Sequence, residues 1–284
     1  MRSANPALNN NTFRNTRRVS GEQAMSIDGT VNKTALSLLL VMTSAIYTWN
    51  NPELGLALFW PVTIFTFILL MITIFNKKSA PITVPLYCLA EGLILGGISA
   101  YANALYPGIA NQAIALTFGI LAALLFLYKS RLIAATENFK LGVFSATFGI
   151  LIVYVLNLIL SFFGVSFMGP LFGNGLTGIL FSVFVIGIAS LNLVLDFDFI
   201  ENGAEQGAPK YMEWYAAFGL MITLIWLYIE ILNLLMKLLL LLHTFLEKHI
   251  VFVFLKLNYS LQTVCKPDQL INLRYQDLLI NLHP

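Results

Sequence analysis

Long apolar runs, broken by short polar or turn-forming stretches, dominate the chain. Crossing about 30 Å of hydrocarbon takes roughly 20 apolar residues as a helix. Seven segments come close to that length: Lys33 to Trp49, Leu54 to Phe75, Ile82 to Tyr101, Ala110 to Tyr128, Leu141 to Phe163, Leu176 to Asp196 and Trp214 to Lys237. The links between them (NNPE, NKKSAP, LYPG, GVSFMGPLFGNG) are short and carry Pro, Gly or Asn, so successive segments are neighbours. The pattern predicts an all-α, polytopic membrane helical bundle, with seven transmembrane helices running up and down through residues 31–237. Residues 1–30 read as a polar, disordered tail. Residues 238–284 read as an atypical C-terminal tail, whose one apolar patch, Ile250 to Leu257, is too short to span.

Composition agrees with the pattern. Hydrophobic residues make up 58% of the chain and charged residues 11%, with a mean hydropathy of +0.80, whereas a soluble domain keeps about a quarter of its residues charged. The net charge of +2 and the scatter of its basic residues exclude a nucleic-acid partner and leave the lipid bilayer as the surrounding phase. Arg2, Arg14, Arg17, Arg18 and Lys33 precede the first span, Lys77 and Lys78 follow the second, Lys129, Arg131 and Lys140 follow the fourth, and Lys210 follows the sixth. The alternate links hold no Lys or Arg up to residue 236. Positive residues stay on the cytoplasmic side, so the amino terminus is expected there. Trp49, Trp60, Tyr101, Tyr106, Tyr128, Trp214 and Tyr215 fall near span ends, as an interfacial aromatic belt does. Cys88 and Cys265 form no CxxC, and all three histidines follow the last span, so no cofactor or resident metal is expected.

Acidic residues inside oily sequence carry the candidate chemistry. Glu91 (LAEGLILGG), Asp196 (LVLDFD) and Glu230 (WLYIEILNLL) interrupt the apolar runs, and a carboxylate at the centre of a membrane helix costs roughly 2.5–3.5 kcal/mol, so each is expected to face inward or find a partner. The plainer alternative is that they only lock helices together by hydrogen bonds. Thr223, Glu230 and Lys237 recur every seven residues, with Asn233 three beyond Glu230, which puts a polar stripe on one face of the seventh span. On the sixth, Asn192 shares the face of Asp196, while Asp198 is turned by about 200° from it. Asp198 and Glu201 are therefore expected to meet headgroups or water. Gly92 and Gly96 form a GxxxG that lets helix backbones approach closely beside Glu91.

If Asp196 and Glu230 approach each other, two poorly solvated carboxyls cannot both ionise without a large penalty. The pair would share a proton and titrate as one coupled unit. Doubly ionised, it would separate, and its oxygens are the hard ligands that calcium prefers. Depth is the strain in this picture. Glu230 lies roughly 24 Å from Trp214 along its helix, whereas Asp196 ends its own predicted span on that same side.

Two stretches resemble a known family. DFDFI, Asp196 to Ile200, follows the sixth span, and LYIEILNLL, Leu227 to Leu235, keeps Asn233 in step. ANPAL, EGLILGGISA and LDFDFIENGAEQGAPKYMEWYAA extend the likeness, and the chain is similar to the bacterial kind of Bax-inhibitor-type (transmembrane Bax inhibitor motif) protein. The resemblance implies an integral, multi-pass protein of the bacterial inner membrane. Its seven spans would enclose a calcium-permeable pore, closed by a pH-sensing acidic pair from the sixth and seventh spans. Carried over, the pair is Asp196 and Glu230, supported by Asn192, Asn233, Glu91 and Asp198, with calcium as the permeating ion and Asp196 and Glu230 as its transient contacts. Glu230 stands where the family has Asp, one methylene longer, and nothing after Lys237 matches.

Other classes fit less. A membrane regulator could use the amino-terminal tail to restrain a membrane protease or another protein complex, and a proton-coupled transporter could use inward acids as a relay. An enzyme is not expected: the spans hold no HExxH and no Ser–His pairing.

Overall fold

The computed structural model describes residues 23–164 and 169–264. Seven long helices follow in order: α1 Ile27–Trp49, α2 Pro52–Phe75, α3 Ala80–Leu105, α4 Ile109–Lys129, α5 Glu137–Phe162, α6 Leu176–Glu205 and α7 Met212–Val264. Single turns at Lys77–Ser79 and Gly169–Phe172 precede α3 and α6. All seven are long and apolar enough to cross a membrane, and the one β-bridge among the described residues pairs Ala24 with Pro209. The protein is thus an all-α, multi-pass membrane bundle. Two compact units are distinguished, Met1–Leu238 and Leu239–Pro284. The described part of the second, 239–264, is helical.

Burial sorts the helices. Half of the most apolar stretch of α3 and of α6 is buried, against 17% for α2 and 11% for α5. The middle of the bundle therefore falls on α3, α6 and α7, while α2 and α5 turn large side chains such as Phe67 and Leu158 outward, where hydrocarbon is the fitting solvent.

Two helix ends differ from the sequence expectation. Helix α1 starts at Ile27, ahead of Lys33, because Ser26 caps it: the Ser26 hydroxyl accepts from the Gly29 amide at 3.0 Å. The polar first turn then packs on protein, with Thr30 buried. Helix α6 runs past Asp196 to Glu205, since its later acids find partners on neighbouring helices. Most of the polar segment 1–30 lies outside the described residues, as do 265–284.

The GxxxG stretch sits at the α1–α3 crossing. A Cβ on Gly92 would fall 2.0 Å from Ser44 Oγ, and one on Gly96 would fall 2.1 Å from the Ala45 carbonyl oxygen. Thr48 Oγ1 donates across the same crossing to the Leu93 carbonyl at 2.9 Å. Backbone meets backbone here, which only small residues permit.

Candidate functional site

Three antiparallel helices frame the intramembrane acids. Asn192 Nδ2 donates to Thr147 Oγ1 at 2.8 Å, and Lys140 pairs with Asp198 at 2.8 Å, which fixes the register of α5 against α6. Lys237, far along α7, donates to the Gly178 carbonyl and Ser182 hydroxyl near the start of α6. With the Tyr154–Glu230 hydrogen bond as a second point of register, that contact makes α6 and α7 antiparallel, with Asp196 level with about residue 221 and Glu230 level with about residue 187.

Asp196 is fully buried and Asn192 nearly so. Glu230 is 6% exposed, and its carboxylate accepts from the Tyr154 hydroxyl of α5 at 2.5 Å and from the Trp226 indole one turn earlier. The register separates Asp196 from Glu230 by about nine residues, roughly 14 Å along the axes. Side chains lean toward the amino terminus of their own helix, so on antiparallel helices these two carboxyls lean toward each other. Asn192 and Thr147 occupy the interval. The result is a polar file along the α5–α6–α7 seam: Lys140 and Asp198, Asp196, Asn192 and Thr147, Glu230 and Tyr154, then Lys237 and Ser182.

Asp198 and Glu201 depart from the expectation of meeting water. Lys140, itself 4% exposed, holds Asp198 and also lies 3.5 Å from exposed Glu137. Glu201 accepts a hydrogen bond from the Tyr128 hydroxyl of α4. Each acid thereby ties α6 to a neighbour, because a partner across the interface replaces the water lost on packing. The stripe on α7 faces inward, with Thr223 and Lys237 buried beside Glu230 and Asn233 half-buried. Glu91 is half-buried on α3 and accepts from the Tyr87 hydroxyl on the same helix; among the described residues no hydrogen bond or ion pair ties it to the α5–α6–α7 seam.

Sequence reasoning missed Glu213. It is fully buried at the start of α7, where its Oε1 accepts from the Ser26 amide at 3.1 Å and hydroxyl at 3.0 Å and pairs with Lys210 at 2.9 Å. The Met25 amide donates to the Ala208 carbonyl at 2.7 Å, and Lys33 lies over the Trp214 ring. A carboxylate beside the first amides of α1 also complements that helix's dipole. The only local hint was Lys210, three residues earlier in KYMEWY. Tyr215, expected in the interfacial belt, is instead buried, its ring tilted against that of Phe218. Among the described residues, no group of three or more His, Cys, Asp or Glu side chains could hold a metal ion.

Comparison with known proteins gives one match. The Bax inhibitor 1 like family model covers residues 5–239, and the chain belongs to that family. No curated protein and no solved structure matches it. The match ends two residues beyond Lys237, so it takes in the whole polar file.

Proposed function

We propose that the protein is a pH-sensitive cation leak pathway, with calcium as the favoured ion, gated by the protonation of Asp196 and Glu230. The observation that carries this reading is the burial of two acids from adjacent antiparallel helices in one polar seam. A buried carboxyl exchanges a proton for a charge at a large change in local electrostatic energy, which is the property a proton-sensitive gate requires. Protonated, the two acids can share the seam's hydrogen bonds and the helices stay packed. Ionised, they repel each other, draw in water and offer hard oxygen ligands to a passing cation.

The axial separation shapes the mechanism. Asp196 and Glu230 act as successive stations along the seam, joined by Asn192 and Thr147, and they need not touch to titrate as a coupled pair. Tyr154 orients the Glu230 carboxylate, and Asp198, tied to Lys140, anchors α6 at the near end. In this reading the amino terminus faces the cytoplasm of a bacterial cell, as the distribution of Lys and Arg favours.

Calcium flux into liposomes across a pH series tests it. Wild type is expected to pass more calcium as the acids lose their protons, and the Asp196→Asn, Glu230→Gln double variant to lose that dependence. A double variant with an unchanged pH response would overturn the proposal.

A further inference from the structure

Lys237 closes the polar file at the end opposite Asp198. Its side chain is 4% exposed, and its ammonium donates to Ser182 Oγ at 3.0 Å and to the Gly178 carbonyl at 3.3 Å. Both acceptors are neutral, and among the described residues no carboxylate oxygen lies within 4 Å of Lys237 Nζ. Lys140 and Lys210, by contrast, are both ion-paired. Glu230 lies two helical turns before Lys237 on the same face of α7.

Its anchor is stiff. Gly178 packs so tightly against the preceding turn that a Cβ there would fall 1.9 Å from the Gly173 carbonyl oxygen. An ammonium held by a carbonyl and a hydroxyl keeps most of its field, because dipoles orient it without cancelling its charge. That field extends to the seam around Glu230, about 10 Å away along α7.

We propose that Lys237 is a valence filter, a tethered cation that opposes the passage of divalent ions along the seam more strongly than that of monovalent ions. The inference rests on the leak reading: the oxygens of Asp196 and Glu230 favour calcium, and Lys237 limits how far they do so. The physical basis is that the repulsion from one fixed charge doubles when the passing charge doubles. Whatever factor Lys237 imposes on a monovalent ion, it imposes the square of that factor on a divalent one.

Potassium and calcium fluxes into liposomes, at one pH and one ionic strength, test this with wild type, Lys237→Met and Lys237→Arg. Removing the charge is expected to raise potassium flux about threefold and calcium flux about tenfold, for a fixed charge about 10 Å along α7 from the Glu230 station and partly screened. Lys237→Arg keeps the charge and is expected to keep the wild-type calcium-to-potassium ratio. If the methionine variant does not fold, Lys237→Gln, whose amide can reach the same two acceptors, runs the same comparison. Equal rises for both ions would mean a loosened helix and would overturn the filter, as would no change in either. Wild type passing neither ion above empty liposomes would sink the leak reading and the filter with it. Wild-type flux that responds to Glu230→Gln but not to Lys237→Met would sink the filter alone.

Discussion

The α1–α3 crossing and the α5–α6–α7 seam solve the same problem in opposite ways. At the crossing, side chains are removed: Gly92 and Gly96 let α3 lie against the Val41 and Ala45 carbonyls of α1. Along the seam, polar side chains are added, with buried Lys140, Glu230 and Lys237 bridging the helices and Asp196 buried as well. Hydrocarbon offers helices no hydrophobic drive to associate, so close backbone packing is the economical way to hold two of them together. Buried charges stabilise a bundle poorly, because desolvation offsets most of their attraction. A seam built from them is thus better explained by chemistry than by strength.

The contrast can be broken most severely at the crossing. Gly96→Val would drive its side chain into the Ala45 carbonyl, a backbone atom that cannot swing away, and is expected to destabilise the bundle by about 3 kcal/mol. Thermal unfolding in detergent should show a large drop in the transition, with loss of monodisperse protein. The next largest effect lies at the near end of the seam. Lys140→Met leaves Asp198 without its cation, and since that acid is about one-fifth exposed, the expected loss is about 2 kcal/mol, below the range for fully buried pairs. An Asp198→Asn, Lys140→Met double variant should recover much of it in the same measurement. If the single variant matched wild type, Lys140 would be a surface charge in all but position.

How much of this could be read from the sequence depends on whether partners are local. The seven spans follow from the length of apolar runs, and Gly92 and Gly96 from their spacing, since both signals lie within one helix. The inward face of α7 was legible for the same reason: Thr223, Glu230 and Lys237 repeat at helical spacing. What depends on a distant partner was not. Glu201 reads as a solvated acid until Tyr128 is beside it, and nothing singles out Glu213 until Ser26 reaches it. The start of α1 is hidden from the sequence on the same account, because a polar turn that packs on protein looks like one bound for water. Axial register is likewise a property of pairs. Helix rise alone sets Asp196 and Glu230 at different depths, but the Lys237 contact with Gly178 and Ser182 is what gives the separation a length.

The smallest expected effect on stability sharpens the comparison furthest. Tyr154→Phe removes the hydroxyl that Glu230 accepts from but leaves the ring, which packs near Phe172 and Phe181. Hydrogen bonds between helices within membranes contribute about 0.6 kcal/mol on average, so the unfolding transition should scarcely move. Flux should respond far more, because the hydroxyl fixes where the Glu230 carboxylate points and how its two protonation states differ in energy. The expected result is a displaced pH dependence of calcium flux in a protein as stable as wild type. The reverse, lost stability with an unaltered pH profile, would make Tyr154 and Glu230 a structural tie and bring the seam closer in kind to the crossing. Gly96→Val, in whatever fraction folds, should keep the wild-type pH profile, since no titratable group lies in the contact it disrupts.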